Sequence, residues 1–184
     1  MRTEVHVHGS VFFLRGVSRA QIEAALRSWL DYLDVDTIAE AKSLEQEEPG
    51  IVYDAKDHAL DICWTGQVGR SFHECLATTM QALGPLTEYA SEIEVTYYHD
   101  NGEDELQLMF VGPTPEAVHE AQRRRMAEDI AGLLGRHFGK NEVEQVTEIV
   151  NQLFAKDWEK KAATGEYSTT FADSPFPPRG KHLH

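Results

Sequence analysis

The sequence predicts an α+β fold, with an antiparallel sheet as its frame and helices packed on it. Three observations carry this. Five short segments alternate apolar and polar residues with period two, as half-buried strands do. Other stretches place apolar residues at i, i+3, i+4 and i+7, the stripe of an amphipathic helix. The order of these segments has no run of alternating strand–helix units, which excludes a parallel barrel.

Taken in order, residues 3–14 read as a strand, with Val5, Val7, Val11 and Phe13 on one face. His6, His8, Ser10 and Phe12 fall on the other. Ser18 opens a helix and Gln21 completes a capping box. Its stripe is Ile22, Ala25, Leu26, Trp29, Leu30 and Leu33. The acidic stretch over 34–49 predicts one short helix, stopped by Pro49-Gly50. Residues 51–54 and 59–65 are two strands joined by the turn "AKDH". A helix follows with Ser71 and Glu74 as a capping box and Phe72, Leu76, Met80 and Leu83 as its stripe; Gly84-Pro85 ends it.

The next segment is a hairpin, with Asn101-Gly102 predicting a type I′ turn. Ile93, Val95 and Tyr97 face one way in its first strand, and so do Leu106, Leu108 and Phe110 across the turn. Thr114-Pro115 starts a helix running to about Phe138, with Thr as N-cap and Pro at its first position. Asn141 is expected to cap a last helix lined by Val143, Val146, Val150, Leu153, Phe154 and Trp158. From residue 163 the chain becomes Pro-, Ser- and Thr-rich without periodicity, which predicts a flexible tail. The expected organisation is one α+β domain over 1–162 and a tail over 163–184.

The order β-α-β-β-α-β resembles the ferredoxin-like split βαβ arrangement. Right-handed crossovers put the first strand inside the sheet. With the last hairpin adding a fifth strand, the expected order is 5-4-1-3-2, followed by two additional C-terminal helices. Such a topology hosts many unrelated functions, so the resemblance implies a frame and no activity.

Composition limits the functional classes. The 184-residue chain is 41% hydrophobic and 26% charged, with net charge -14. That suits a domain with its own core. Residues 71–122 hold ten acids and no Lys or Arg. A basic nucleic-acid grip is therefore excluded as an expectation, and a protein partner with a basic surface is expected instead. No apolar run reaches membrane-spanning length, and no apolar leader follows Met1. Two cysteines without a secretory signal predict free thiols in the cytoplasm. A homodimer is expected on the commonness of two-fold assemblies.

Two groups of residues offer chemistry. On the second face of the sheet, His6 and His8 are expected beside Asp61 and Cys63 of one neighbouring strand and Glu94 of the other. These residue types suit zinc or another transition metal, or acid–base work. The same residues also suit a plainly solvated sheet face. Gly66, Gly69, Arg70 and Ser71 form a strand–Gly-x-x-Gly–helix segment whose amides suit an anion, without the Walker spacing. Asp31, Asp34 and Asp36 lack a calcium-loop pattern. His73-Glu74-Cys75 are adjacent helical positions that cannot face one ion. No nucleophile–base signature stands out.

The leading expectation is a small acidic cytoplasmic binding protein without catalysis or cofactor, acting as adaptor, regulator or inhibitor. The alternative is a metal- or small-ligand-binding protein, with enzymatic capacity open, whose site surrounds His6 and His8.

Overall fold

The computed structural model describes residues 2–100 and 102–165. Five strands form one antiparallel sheet: β1 (Thr3–Phe12), β2 (Gly50–Asp54), β3 (Ala59–Val68), β4 (Ser91–Tyr98) and β5 (Glu105–Val111). Their order is β2-β3-β1-β4-β5, as expected. The α-helices are α1 (Arg19–Ala25), α2 (Arg27–Tyr32), α3 (Phe72–Leu83), α4 (Pro115–Leu134) and α5 (Lys140–Thr164).

The core lies between one sheet face and α1, α2 and α3. Val5, Val7, Val11, Leu60, Ile62, Trp64, Ile93 and Val95 meet Ile22, Leu26, Trp29, Phe72, Leu76 and Met80 there. Trp29 stands edge-on to Trp64, with ring centroids 5.5 Å apart. Gly66 makes this possible. A side chain there would place its Cβ 2.2 Å from the Trp64 ring, so the indole lies across the bare glycine.

Several local expectations hold in detail. Ser18 and Gln21 cap α1 reciprocally. The Thr114 hydroxyl accepts the Ala117 amide, with Pro115 opening α4. Others are corrected. The first predicted helix breaks at Leu26, although its apolar stripe continues from α1 into α2. Ser71 precedes α3 without a side-chain cap. Gly139, not Asn141, is the residue before α5.

The acidic segment is not a helix. Only Ile38–Glu40 make a 3₁₀ turn. Ile38 and Ala41 are buried, but Leu44, the next apolar residue, is exposed and continues no buried stripe. The chain instead runs along β3 beyond the reach of β2. The Leu44 amide donates to the Thr65 carbonyl at 2.8 Å, and the Trp64 indole N–H to the Lys42 carbonyl at 3.0 Å. Gly50, at φ +79°, then turns the chain into β2.

The β4–β5 connection is longer than a two-residue turn. The last pair is Tyr97 with Glu105, so the link runs over 99–104; Asn101 lies outside the described residues. Asp100, Glu103 and Asp104 carry like charges, which disfavours continued pairing there. This register sets the faces of β5. Leu106, Leu108 and Phe110 sit opposite Thr96, Glu94 and Glu92, on the sheet face away from the main core.

That second face recruits α4. Leu108 and Phe110 pack with Val118 and Ala121 in a separate buried cluster. Helix α5 folds back on α4, with the His119 ring 5.3 Å from that of Phe154 and 5.0 Å from that of Trp158. It continues to Thr164 and ends on Gly165 in the left-handed conformation. The helix thus passes the expected boundary at 162, and the expected tail lies outside the described residues from 166 onward. Among the described residues no helix is long and apolar enough to cross a membrane.

Candidate metal centre

Helix α4 covers the β4–β5 half of the second face and leaves the β1–β3 half more open. His6 and His8 stand on that open half. In the register His6 faces Thr65 on β3 and Thr96 on β4; His8 faces Cys63 and Glu94. The two imidazoles stack with centroids 6.1 Å apart.

His6 is the organising group. Its Nδ1 lies 2.9 Å from Thr65 Oγ1 and 3.2 Å from Glu48 Oε1. The Thr65 hydroxyl donates to the same Glu48 oxygen at 3.2 Å. The other Glu48 oxygen accepts the Ser43 hydroxyl at 2.5 Å, and Ser43 Oγ accepts the Thr65 amide at 2.9 Å. Glu48 is thereby held over the sheet by the segment that stitches itself to β3. Glu45 and Glu47 of the same stretch are exposed, while Glu48 is half-buried.

Cys63 completes the group. Ligand atoms of His6, Glu48 and Cys63 all lie within 4.8 Å of one another. Around a tetrahedral zinc, N, O and S ligands stand about 3.5 Å apart, given metal–ligand bonds of about 2.0–2.3 Å. The His6–Glu48 separation of 3.2 Å is close to that spacing. Burial, and then the Glu48 charge, push the Cys63 thiol above its ordinary value. Such a thiol is poorly primed as a free nucleophile. Both cysteines are free, and Cys75 turns its Sγ to the Ser28 carbonyl at 3.3 Å, on the core side.

The other expected ligands are engaged elsewhere. Asp61 Oδ1 accepts the Ser10 hydroxyl at 2.6 Å. Glu94 lies 3.6 Å from Arg125 of α4, and Arg125 also pairs with Glu92 and Asp129. His8 is exposed, its ring stacked beside that of His6, and stands outside the group of three. Glu48 has no periodic signal in the sequence: it is one of three glutamates in "EQEE", and only the path of the chain singles it out.

Residues 3–155 match the model of a family described as a family of unknown function (DUF6806). The chain belongs to that family. No curated protein and no solved structure matches it at a significant level. The DUF6806 match includes every strand and all three residues of the His6–Glu48–Cys63 group.

The glycine-rich segment is built differently from the group on the open face. Gly66 is a strand residue beneath the Trp64 ring. The Gly69 amide donates to the Tyr32 hydroxyl at 2.6 Å, and the Phe72 amide to the Gly69 carbonyl at 3.2 Å. Arg70 and Ser71 remain exposed at the start of α3.

Proposed function

We propose that this chain is a metal-ion-binding protein of the zinc class, with His6, Glu48 and Cys63 as protein ligands. The observation that carries the proposal is the convergence of three donor atoms of suitable chemistry, from three chain segments, within 4.8 Å. An N/O/S set with one position left suits a borderline ion such as Zn²⁺, while a hard cation such as Mg²⁺ would want oxygen ligands. The antiparallel sheet supports this role by holding His6 and Cys63 on the paired strands β1 and β3.

The test uses the untagged full chain dialysed against zinc or cobalt. One equivalent of metal is expected, with a thiolate-to-cobalt absorption band that Cys63→Ser abolishes. His6→Ala and Glu48→Gln are each expected to weaken binding at least about 10–100-fold, the loss typical even for groups that only support a ligand. Because the raised Cys63 proton must leave before sulfur can bind, affinity rises as pH rises. A chain that takes up no stoichiometric metal, or whose uptake ignores Cys63 and His6 substitution, overturns the proposal.

A cytoplasmic adaptor or regulator role through an acidic surface is the second reading. It is supported by the exposed Asp100 and Asp104 on the β4–β5 link, within a chain of net charge -14. A basic protein partner bound this way is released by added salt.

A further inference from the structure

Helix α5 has two apolar sides and α4 uses one. Val150 and Phe154 are buried in the α4–α5 contact. At 100° per residue, Glu142, Val146, Ile149, Leu153, Lys156 and Lys160 form a second stripe more than a quarter-turn away. All six are exposed, and Ile149 and Leu153 keep 55% and 59% of their surface in water. Two large aliphatic side chains so open on one helix face suit a cover.

The charge pattern identifies the cover. A chain of net charge -14 repels its own copy over most of its surface. The stripe departs from that, with Glu142 at one end and Lys156 and Lys160 at the other. Among the described residues the ion pairs of this helix, Lys140 with Glu144 and Asp157 with Lys161 and His119, lie off the stripe. Lay a second α5 antiparallel, with the two-fold axis at position 151. Glu142 then meets the partner's Lys160. Val146 meets the aliphatic stem of the partner's Lys156, and Ile149 meets the partner's Leu153. A parallel arrangement would oppose like charges at both ends.

We propose that α5 is the interface of a homodimer, packed antiparallel on its own copy through Val146, Ile149 and Leu153 and locked by Glu142–Lys160 pairs. The proposal is independent of the metal reading. The stripe spans about 27 Å at 1.5 Å per residue, so the interface falls at the small end for specific association. Its dimer forms in a concentration-dependent way, in the micromolar range.

Sedimentation equilibrium of the full chain over a range of concentrations tests it. The wild type is expected to pass from monomer to dimer. Ile149→Glu is expected to remain monomeric with unchanged helical circular dichroism, since the position is exposed. Glu142→Lys and Lys160→Glu should each weaken the dimer about tenfold, because each alters two symmetric pairs. The double variant should restore it. A wild type that stays monomeric to millimolar concentration overturns the proposal. A dimer indifferent to Ile149→Glu, or single charge changes that the double variant fails to rescue, does so equally.

Discussion

The two faces of the sheet are built from the same strands and differ in what lies over them. One face is closed by α1, α2 and α3, and its residues are almost fully buried. Among the described residues the other is closed by a helix over β4 and β5, where Leu108 and Phe110 meet α4. Hydrophobic burial dominates the first face; hydrogen bonds and ion pairs organise the second. The difference shows where this fold can hold chemistry. A packed face has no room for a ligand, whereas His6, Glu48 and Cys63 sit on a stretch that no helix covers among the described residues.

Adjacent residues of β3 give the sharpest way to break the comparison. Trp64 points into the core and is 3% exposed; Cys63 points the other way. Trp64→Ala is expected to cost about 3–5 kcal/mol, because it removes an aromatic packed against Trp29 and Phe72 and leaves a cavity. Cys63→Ala is expected to cost about 1 kcal/mol or less. Urea denaturation of the two metal-free variants measures both, and equal losses would mean that the second face is as structural as the first.

Within the second face, Arg125 joins the covered half to the sheet. It reaches Glu92 and Glu94 from α4 and is only partly open to solvent. Arg125→Ala is expected to lower stability by about 1 kcal/mol, and by less as salt rises. If the loss does not change with salt, packing of the Arg125 stem is the cause and the charges contribute little.

Much of this contrast is legible in the sequence. Alternation in residues 3–14 assigns Val5, Val7, Val11 and Phe13 to the core and His6 and His8 to the opposite face, and the structure agrees. Strand order follows from connection rules. The site is legible only in part, since strand patterns bring His6 near Cys63 but say nothing of irregular chain. Glu48 arrives through hydrogen bonds that tie residues 42–44 to Trp64 and Thr65 of β3, and these follow no side-chain period. Asp61 and Glu94 fall on the expected face, yet Ser10 and Arg125 are their partners. The Leu106–Phe110 face depended on the parity of the β4–β5 link, which "NG" misstates.

The smallest expected effect lies back on the packed face. Tyr97 ends the core-facing row of β4, beside the buried cluster. Among the described residues its hydroxyl has no hydrogen-bond partner. Burial, then the charges of Glu105 and Tyr32, push the phenol up to about 12. An unfolded tyrosine loses its proton near pH 10. Folding therefore favours the neutral phenol: the contribution is fully present below about pH 10 and is lost as pH rises toward 12. At neutral pH the group is silent. Tyr97→Phe removes an unpaired hydroxyl, so stability at pH 7 should be unchanged or slightly higher. Between pH 10 and 12 the variant should lose less stability than the wild type. Difference absorbance of phenolate between the two proteins follows the same proton directly. A Tyr97 that ionises near pH 10 would show that this end of the core face admits water as freely as the open half of the other.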